Sequence, residues 1–324
     1  MEERVINMRK HLLVYDVDWW VLGKHAQIIK QHYPELEIIS QERFFQQLEE
    51  NGADYFNENF EVISTLCLGI ARILMSNGVR VDSSAAVSYY YFMKNQHSYR
   101  EWMDQPIYDY DFIRDYVSKI KSIGAINPNL AQLIKNISPS TNVKYIRQFV
   151  DSDQFKPMNA DKNPDEFVIG WVGDTEKMCK NYYTSYLPIV EICKHHMPNI
   201  TFKEATMKSY VSPEKMPDFY NSLDLLIITG NNEGGPATAL EAYACGVPVL
   251  SSNIGYVKAV THPSAHGFIM NSNHPIEYIT KINEITSNRN ELEEIAKTCQ
   301  EYVSENFSIN NTIQDWINQL FYFK

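Results

Sequence analysis

The chain has 324 residues, 44% of them hydrophobic and 21% charged, a balance that excludes a disordered or fibrous protein. At this length a chain divides its core, so two compact lobes are expected. A formal net charge of −11 argues against a nucleic-acid partner, because phosphate backbones require a basic face.

The charge is uneven. Residues 1–150 carry 16 Lys and Arg against 18 Asp and Glu, whereas 151–324 carry 13 against 22. A near-neutral front half is compatible with peripheral contact with an anionic membrane surface; the acidic back half is not. No apolar run approaches the ~18 residues of a bilayer span. Met1-Glu2-Glu3-Arg4 is followed by no apolar stretch of the secretory kind. Five scattered cysteines (Cys67, Cys179, Cys193, Cys245, Cys299) form no C-x-x-C pair, the pattern of reduced thiols in a cytoplasmic protein.

In chain order, an apolar strand at 11–15 stops at Asp16, a helical pattern runs over 21–32, and a short strand follows at 36–39. Residues 60–68 and 85–91 read as strands, with helix as the alternative for both. A strand at 122–126 leads to Asn127, a good N-cap with Pro128 at the first helical position, and a helix to 137. Another strand is expected at 143–149, then a polar linker to Glu166. The back half alternates cleanly. Strands fall at 167–172, 200–204, 225–229, 247–251 and 267–270, and helices at 181–195, 213–222, 236–245, 275–287, 289–305 and 309–321. The fold class is therefore α/β, two doubly wound Rossmann-like lobes facing across a cleft, with ligands beyond the carboxyl ends of the strands. The expected domains are 1–157 and 158–305, with a C-terminal helix at 306–324 crossing back to the first lobe.

The chemistry concentrates in Thr229-Gly-Asn-Asn-Glu233-Gly234-Gly235-Pro236-Ala-Thr238-Ala239-Leu-Glu241 and the run through Cys245-Gly246-Val-Pro248-Val. A strand ends in a glycine-rich loop, Pro236 opens a helix and Gly246 stops it. Free amides near Thr238 and Ala239, at the positive end of the helix dipole, suit a phosphate. Glu241 lies about 7 Å along the axis from the helix start, and its side chain leans back toward it. A nucleotide sugar matches this order, with the sugar near Glu233, the diphosphate at the helix start and the ribose diol at Glu241. The bland alternative makes Glu233 a solvated loop acid and Glu241 a salt-bridged helix residue.

This stretch resembles the E-x₇-E signature of the GT-B glycosyltransferases, in particular the retaining family 4, through Glu233, Gly234, Glu241, Ala242, Ala244, Cys245, Gly246, Pro248 and Val249. Gly235 and Pro236 stand where Phe and Gly are usual. Val150-Asp151-x-x-x-Phe155-x-Pro157 is similar to the end of that family's first domain, and Ile169-Gly170-Trp171-Val172-Gly173 to the glycine turn opening its second. The resemblance is carried by residues 122–324. It implies a donor nucleotide sugar in the back lobe, a saccharide, lipid-linked or small-molecule acceptor in the front lobe, retention, and no obligatory metal or separate cofactor. It also implies a basic pair on the diphosphate. Asp174 occupies the place of the usual Arg, which leaves Lys180, with Lys177 second. A His near the donor sugar is usual, and His97 is the nearest candidate, against the reading of an ordinary surface His.

Asp16-x-Asp18, Asp109-x-Asp111 and Asp151-x-Asp153 are D-x-D strings, but three hits in an acidic chain show how cheap the pattern is, and no metal site is expected. The loop holding Asp16, Trp19, Trp20 and Gly23 is an acceptor-site candidate, because tryptophan faces suit sugar rings; the alternative is that one tryptophan is core. The function expected is a glycosyltransferase. The rivals are a nucleotide-sugar epimerase on the same fold, a hydrolase, and a non-catalytic nucleotide-sugar-binding partner.

Overall fold

The computed structural model describes residues 10–88, 109–158 and 162–323. Contacts divide them into two units: one takes residues up to 88, 109–146 and those from Ile313 on, and the other takes Arg147–Thr312. The division falls at Ile146/Arg147, and the Val150–Pro157 motif lies within the second unit.

The first unit holds a six-stranded parallel sheet in the order β2-β1-β3-β4-β5-β6. Its strands are β1 (His11–Tyr15), β2 (Glu37–Ser40), β3 (Val62–Thr65), β4 (Ser83–Ala86), β5 (Ser122–Ala125) and β6 (Asn142–Tyr145). Every residue of β1, β3, β4 and β5 is buried, as parallel strands covered on both faces must be. The helix Val21–His32 and the helix Pro128–Ile137 match their patterns, and Asn127 caps the latter by accepting from the Leu130 amide at 2.7 Å.

Elsewhere in this unit the sequence expectations are corrected. Of the strand at 60–68 only Val62–Thr65 is extended, because the apolar run continues into the helix Leu68–Ser76. The strand expected at 85–91 is Ser83–Ala86, with 89–91 outside the described residues. The helix Gln41–Asn59, broken at Gly52 (φ 75), carried no clear signal.

The C-terminal helix Ile309–Phe321 places its last turns in the first unit, as expected. Gln319, 2% exposed, donates to the carbonyls of Ile123 (3.2 Å) and Asn142 (3.1 Å), while Ser122 Oγ donates to the Gln319 carbonyl at 2.7 Å. Trp316 is fully buried and meets the ring of His25 at 6.0 Å.

The second unit holds a five-stranded parallel sheet in the order β11-β10-β9-β7-β8. Its strands are β7 (Phe167–Val172), β8 (Ile200–Ala205), β9 (Leu225–Ile228), β10 (Val249–Ser252) and β11 (Ile269–Met270). They follow the predicted alternation closely. Its core gathers Trp171, Tyr186, Leu225, Leu250 and Tyr278 between the sheet and the helices Leu187–His196 and Pro275–Ser287. A Cβ on Gly170 in β7 would lie 2.1 Å from the buried side chain of Leu223, which would have to shift. All five cysteines are free and buried. Among the described residues no helix is long and apolar enough to cross a membrane.

Burial pushes the imidazole of His25 down to about 4. The folded chain therefore holds His25 neutral while the unfolded chain protonates it below about 6.5. That contribution is complete above pH 6.5 and is lost as pH falls toward 4, by about 3 kcal/mol. Urea unfolding at pH 7 and pH 4.5 should show a smaller loss of stability for His25→Gln than for the wild-type chain. Equal losses would remove His25 from the account.

Candidate functional site

In the second sheet β7 and β9 are neighbours, yet the chain leaves β7 for β8 on one side and β9 for β10 on the other. Loops leaving their carboxyl ends part in opposite directions. Such a switch point is where open α/β sheets take ligands. The loop after β7 carries Gly173, Lys177 and Lys180; the loop after β9 carries Glu233, Gly234 and Gly235.

The two loops are joined by main-chain and side-chain bonds. Buried Trp171 donates its indole N–H to Thr229 Oγ1 (3.1 Å), and that hydroxyl donates to the Lys180 carbonyl (2.9 Å). Asn181 Nδ2 donates to the Thr229 carbonyl at 3.0 Å, and the Asn231 amide to the Cys179 carbonyl at 2.9 Å. With the loops so held, Lys180 Nζ stands 2.7 Å from Glu233 Oε1, and the two side chains are only 20% and 14% exposed. Burial and then the Glu233 charge push the Cys179 thiol upward. Lys180 sits in the turn Met178–Lys180, not at the start of the following helix as expected. Lys177 precedes that turn and is exposed. At the place of the usual Arg, Asp174 accepts from the Glu176 amide at 3.0 Å.

The glycines here make room. A Cβ on Gly173 would lie 2.8 Å from the Trp171 ring, and the Gly173 amide is bonded to the Ala205 carbonyl at 3.1 Å. A Cβ on Gly235 would fall 2.0 Å from the ring of Tyr256. A Cβ on Gly255, left-handed at φ 51, would lie 2.6 Å from the Gly234 carbonyl oxygen. The Phe expected from the resemblance therefore has no space at 235: the ring of Tyr256 stands there.

The helix Ala237–Ala244 begins after Pro236. Of the two amides expected at its start, that of Ala239 closes on the Pro236 carbonyl at 3.1 Å and is not free for a ligand. The Thr238 amide makes no hydrogen bond among the described residues. Glu241, half-buried, accepts from the Tyr220 hydroxyl at 2.6 Å. Tyr220 is wholly buried, and burial followed by the Glu241 charge pushes its hydroxyl far above the usual tyrosine range. It is thus a donor at every working pH. Phe155 packs edge-on to Tyr220 at 6.1 Å, and Pro157 lies 3.5 Å from where a Gly246 Cβ would stand. The Val150–Pro157 motif therefore underlies the helix of Glu241.

In the first unit the equivalent switch point lies between β1 and β3. Asp16, Trp19 and Trp20 occupy the loop leaving β1. Their indoles stack at 5.8 Å and 18°, 75% and 49% exposed, so neither is core. Burial raises the Asp16 carboxyl, which accepts from the Val17 amide at 2.7 Å, and Asp18 accepts from the Tyr15 hydroxyl. Gly23 lets this loop close onto its helix, since a Cβ would lie 2.2 Å from the Val17 carbonyl. The other D-x-D acids serve locally. Asp109 caps the helix Tyr110–Asp115, Asp111 pairs with Arg114, and Asp151 accepts from two amides of its own turn. Among the described residues no three His, Cys, Asp or Glu are grouped to hold a metal. His97 lies outside the described residues. Sequence reasoning missed Tyr220, Thr229 and Asn181; an Asn directly after a Lys in a loop was the one available signal, since Asn tolerates left-handed backbone.

Residues 202–302 match the model of the family Glycosyl transferases group 1. The chain is 24% identical over 105 residues to a D-inositol 3-phosphate glycosyltransferase of Salinispora tropica, which is 32% of this chain and 22% of that protein. The chain thus spans about a fifth of the length of the curated relatives it matches first. The sucrose-phosphate synthase structure from Thermosynechococcus elongatus superposes with a TM-score of 0.70 at 13% identity, covering 97% of this chain and 98% of that one. The HepE structure of Anabaena in complex with UDP-glucose gives 0.65 at 12%, covering 97% and 100%. The fold is GT-B. In this GT-B chain, the matched segment 202–302 includes both glutamates and the loop and helix that carry them.

Gly235→Ala tests the close approach. The added methyl must displace the Tyr256 ring, at about 1–3 kcal/mol of overpacking, so its melting temperature should fall. Combining it with Tyr256→Leu should recover part of that fall; a single variant melting with the wild type would show the ring has room to move.

Proposed function

We propose that the chain transfers a sugar from a nucleoside-diphosphate sugar to a saccharide, lipid-linked or small-molecule acceptor. The observation that carries this reading is the meeting of Lys180, Glu233 and the Glu241 helix at one switch point. A switch point that presents a cation, an open helix amide and two carboxylates suits a molecule with a diphosphate between two hydroxyl-bearing rings. The HepE structure named above contains UDP-glucose on the same fold, which supports that class of donor here.

In this proposal Glu241, held by Tyr220, accepts from the ribose hydroxyls. Glu233 accepts from hydroxyls of the donor sugar. Lys180 and the amide of Thr238 face the diphosphate, where negative charge grows as the glycosidic bond breaks. Before the donor arrives Lys180 and Glu233 neutralise each other. The incoming diphosphate replaces Glu233 as the counter-ion of Lys180 and turns the carboxylate toward the sugar. The proposal assigns charge stabilisation to these groups rather than to a metal. Retention of configuration belongs to it through the family 4 resemblance. The acceptor is assigned to the carboxyl end of β1, where the indoles of Trp19 and Trp20 offer apolar faces and Asp16 a hydroxyl acceptor.

A thermal-shift panel of UDP-, GDP-, TDP- and ADP-sugars tests donor binding, since a ligand of the native state raises its melting point. Lys180→Ala and Glu233→Ala should lower turnover about 10²–10³-fold, the size of a lost transition-state donor. Glu241→Ala should act mainly by raising KM for the donor. Wild-type turnover in the first two, or no melting shift with any donor, would sink the reading. Products formed from donor alone would mark an epimerase instead.

A further inference from the structure

Asn181 is the one non-glycine residue with positive φ among the described residues, at φ 53 and ψ 37. It follows Lys180 directly and sits where the turn Met178–Lys180 gives way to the π-helical turn Tyr182–Tyr186. A left-handed residue reverses the chain within one step, so the turn bearing Lys180 can close back on the loop after β9. The side chain then locks that reversal at both ends. Its Nδ2 donates to the Thr229 carbonyl at 3.0 Å, and its Oδ1 accepts from Thr184 Oγ1 at 3.3 Å. Its own carbonyl accepts from the Ser185 and Tyr186 amides at 2.9 and 3.1 Å, starting the next helical segment. Meanwhile the Thr229 hydroxyl holds the Lys180 carbonyl at 2.9 Å. Thr229 is thus gripped from both sides of the Lys180–Asn181 peptide, and Thr229 itself is fixed to buried Trp171.

We propose that Asn181 is the positioning residue of this site, aiming Lys180 at Glu233 and thereby at the diphosphate of a donor. The second half of this statement rests on the donor reading above; the first half does not. Two properties of one residue are combined. Asparagine accepts the left-handed backbone that most side chains resist, and its amide bonds the neighbouring loop. Glycine supplies only the first and alanine supplies neither.

The ligand-free part is tested on the full chain by labelling with an amine-reactive ester, read by mass spectrometry at Lys180. Asn181→Ala should label Lys180 about three- to tenfold faster than wild type, the scale of one lost hydrogen bond with a displaced turn. Asn181→Gly, which keeps the backbone without the amide, should lie between the two. Lys24, on the first unit, serves as the internal reference and should not change. Wild-type labelling of Lys180 in both variants overturns the proposal. If Asn181→Ala does not fold, wild-type labelling in Asn181→Gly overturns it alone.

The donor part is read by calorimetry with whichever of UDP, GDP, TDP or ADP binds wild type. Asn181→Ala should weaken that binding about tenfold, and in turnover should raise donor KM more than it lowers kcat. Faster labelling with unchanged nucleotide affinity would detach Lys180 from the diphosphate while leaving Asn181 its positioning role. Faster labelling with no nucleotide bound by wild type would overturn the donor reading.

Discussion

The site depends on the bond of one buried indole to one threonine hydroxyl. Trp171 cannot move, because it is packed between Tyr182 and Tyr186 at 5.0 and 5.3 Å and is 2% exposed. Its N–H must find an acceptor in that interior, and Thr229 at the end of β9 is the one it meets. A hydroxyl that accepts from Trp171 is left with its proton for the Lys180 carbonyl. The demand of a core residue for a partner thus becomes the alignment of two loops at the carboxyl ends of neighbouring strands. Lys180 and Glu233 lie on the two loops that these bonds join.

The steric requirements of the second unit have the same source. Close backbone approaches at Gly235 and Gly255 bring the β9 loop against the segment after β10, and Tyr256 fills the volume between. Ser252 donates to the Gly230 carbonyl from beneath the same loop. On the other flank, Tyr220 fastens Glu241 and is itself backed by Phe155. The carboxylates are therefore held by different neighbours. Glu233 pairs with the Lys180 cation, and Glu241 accepts from the neutral Tyr220 hydroxyl. In the proposed donor reading that difference suits them to different tasks, Glu233 to exchange its partner and Glu241 to keep it.

Much of this was legible in the sequence, and the reasons are particular. The back-half strands read correctly because each is a short apolar run bounded by turn residues, as at Leu225–Ile228 before Thr229-Gly230. Glu233, Gly234 and Glu241 stood out in the sequence because glycines, a proline and a helix start crowd into one stretch. The helix Leu68–Ser76 was not legible, since its apolar residues continue those of β3 and periodicity cannot divide such a run. Nor was β4, whose Ser83-Ser84-Ala85-Ala86 lacks the branched and aromatic residues that mark strands. Tyr220 and Thr229 were hidden for another reason. Each acts on a residue of a different element, and no local pattern records a tertiary neighbour. The free amide at Ala239 was misjudged because the first turn tightens and uses it, as helix starts often do.

Electrostatics set the terms on which the second unit would meet a charged ligand. Residues 151–324 bear 13 basic and 22 acidic side chains, a field that repels a diphosphate at long range. At physiological salt that field decays over about 8 Å, so capture is decided by the groups within the crevice. There Lys180 is paired with Glu233 at 2.7 Å. A half-buried lone lysine would suffer desolvation with no counter-charge, and an unpaired Glu233 would repel the ligand. Pairing resolves both, and in the proposed donor reading a diphosphate would take the place of Glu233 as the partner of Lys180. In that reading capture works by exchange rather than attraction, and a diphosphate that also engages the helix start offers Lys180 more than a single weak anion does.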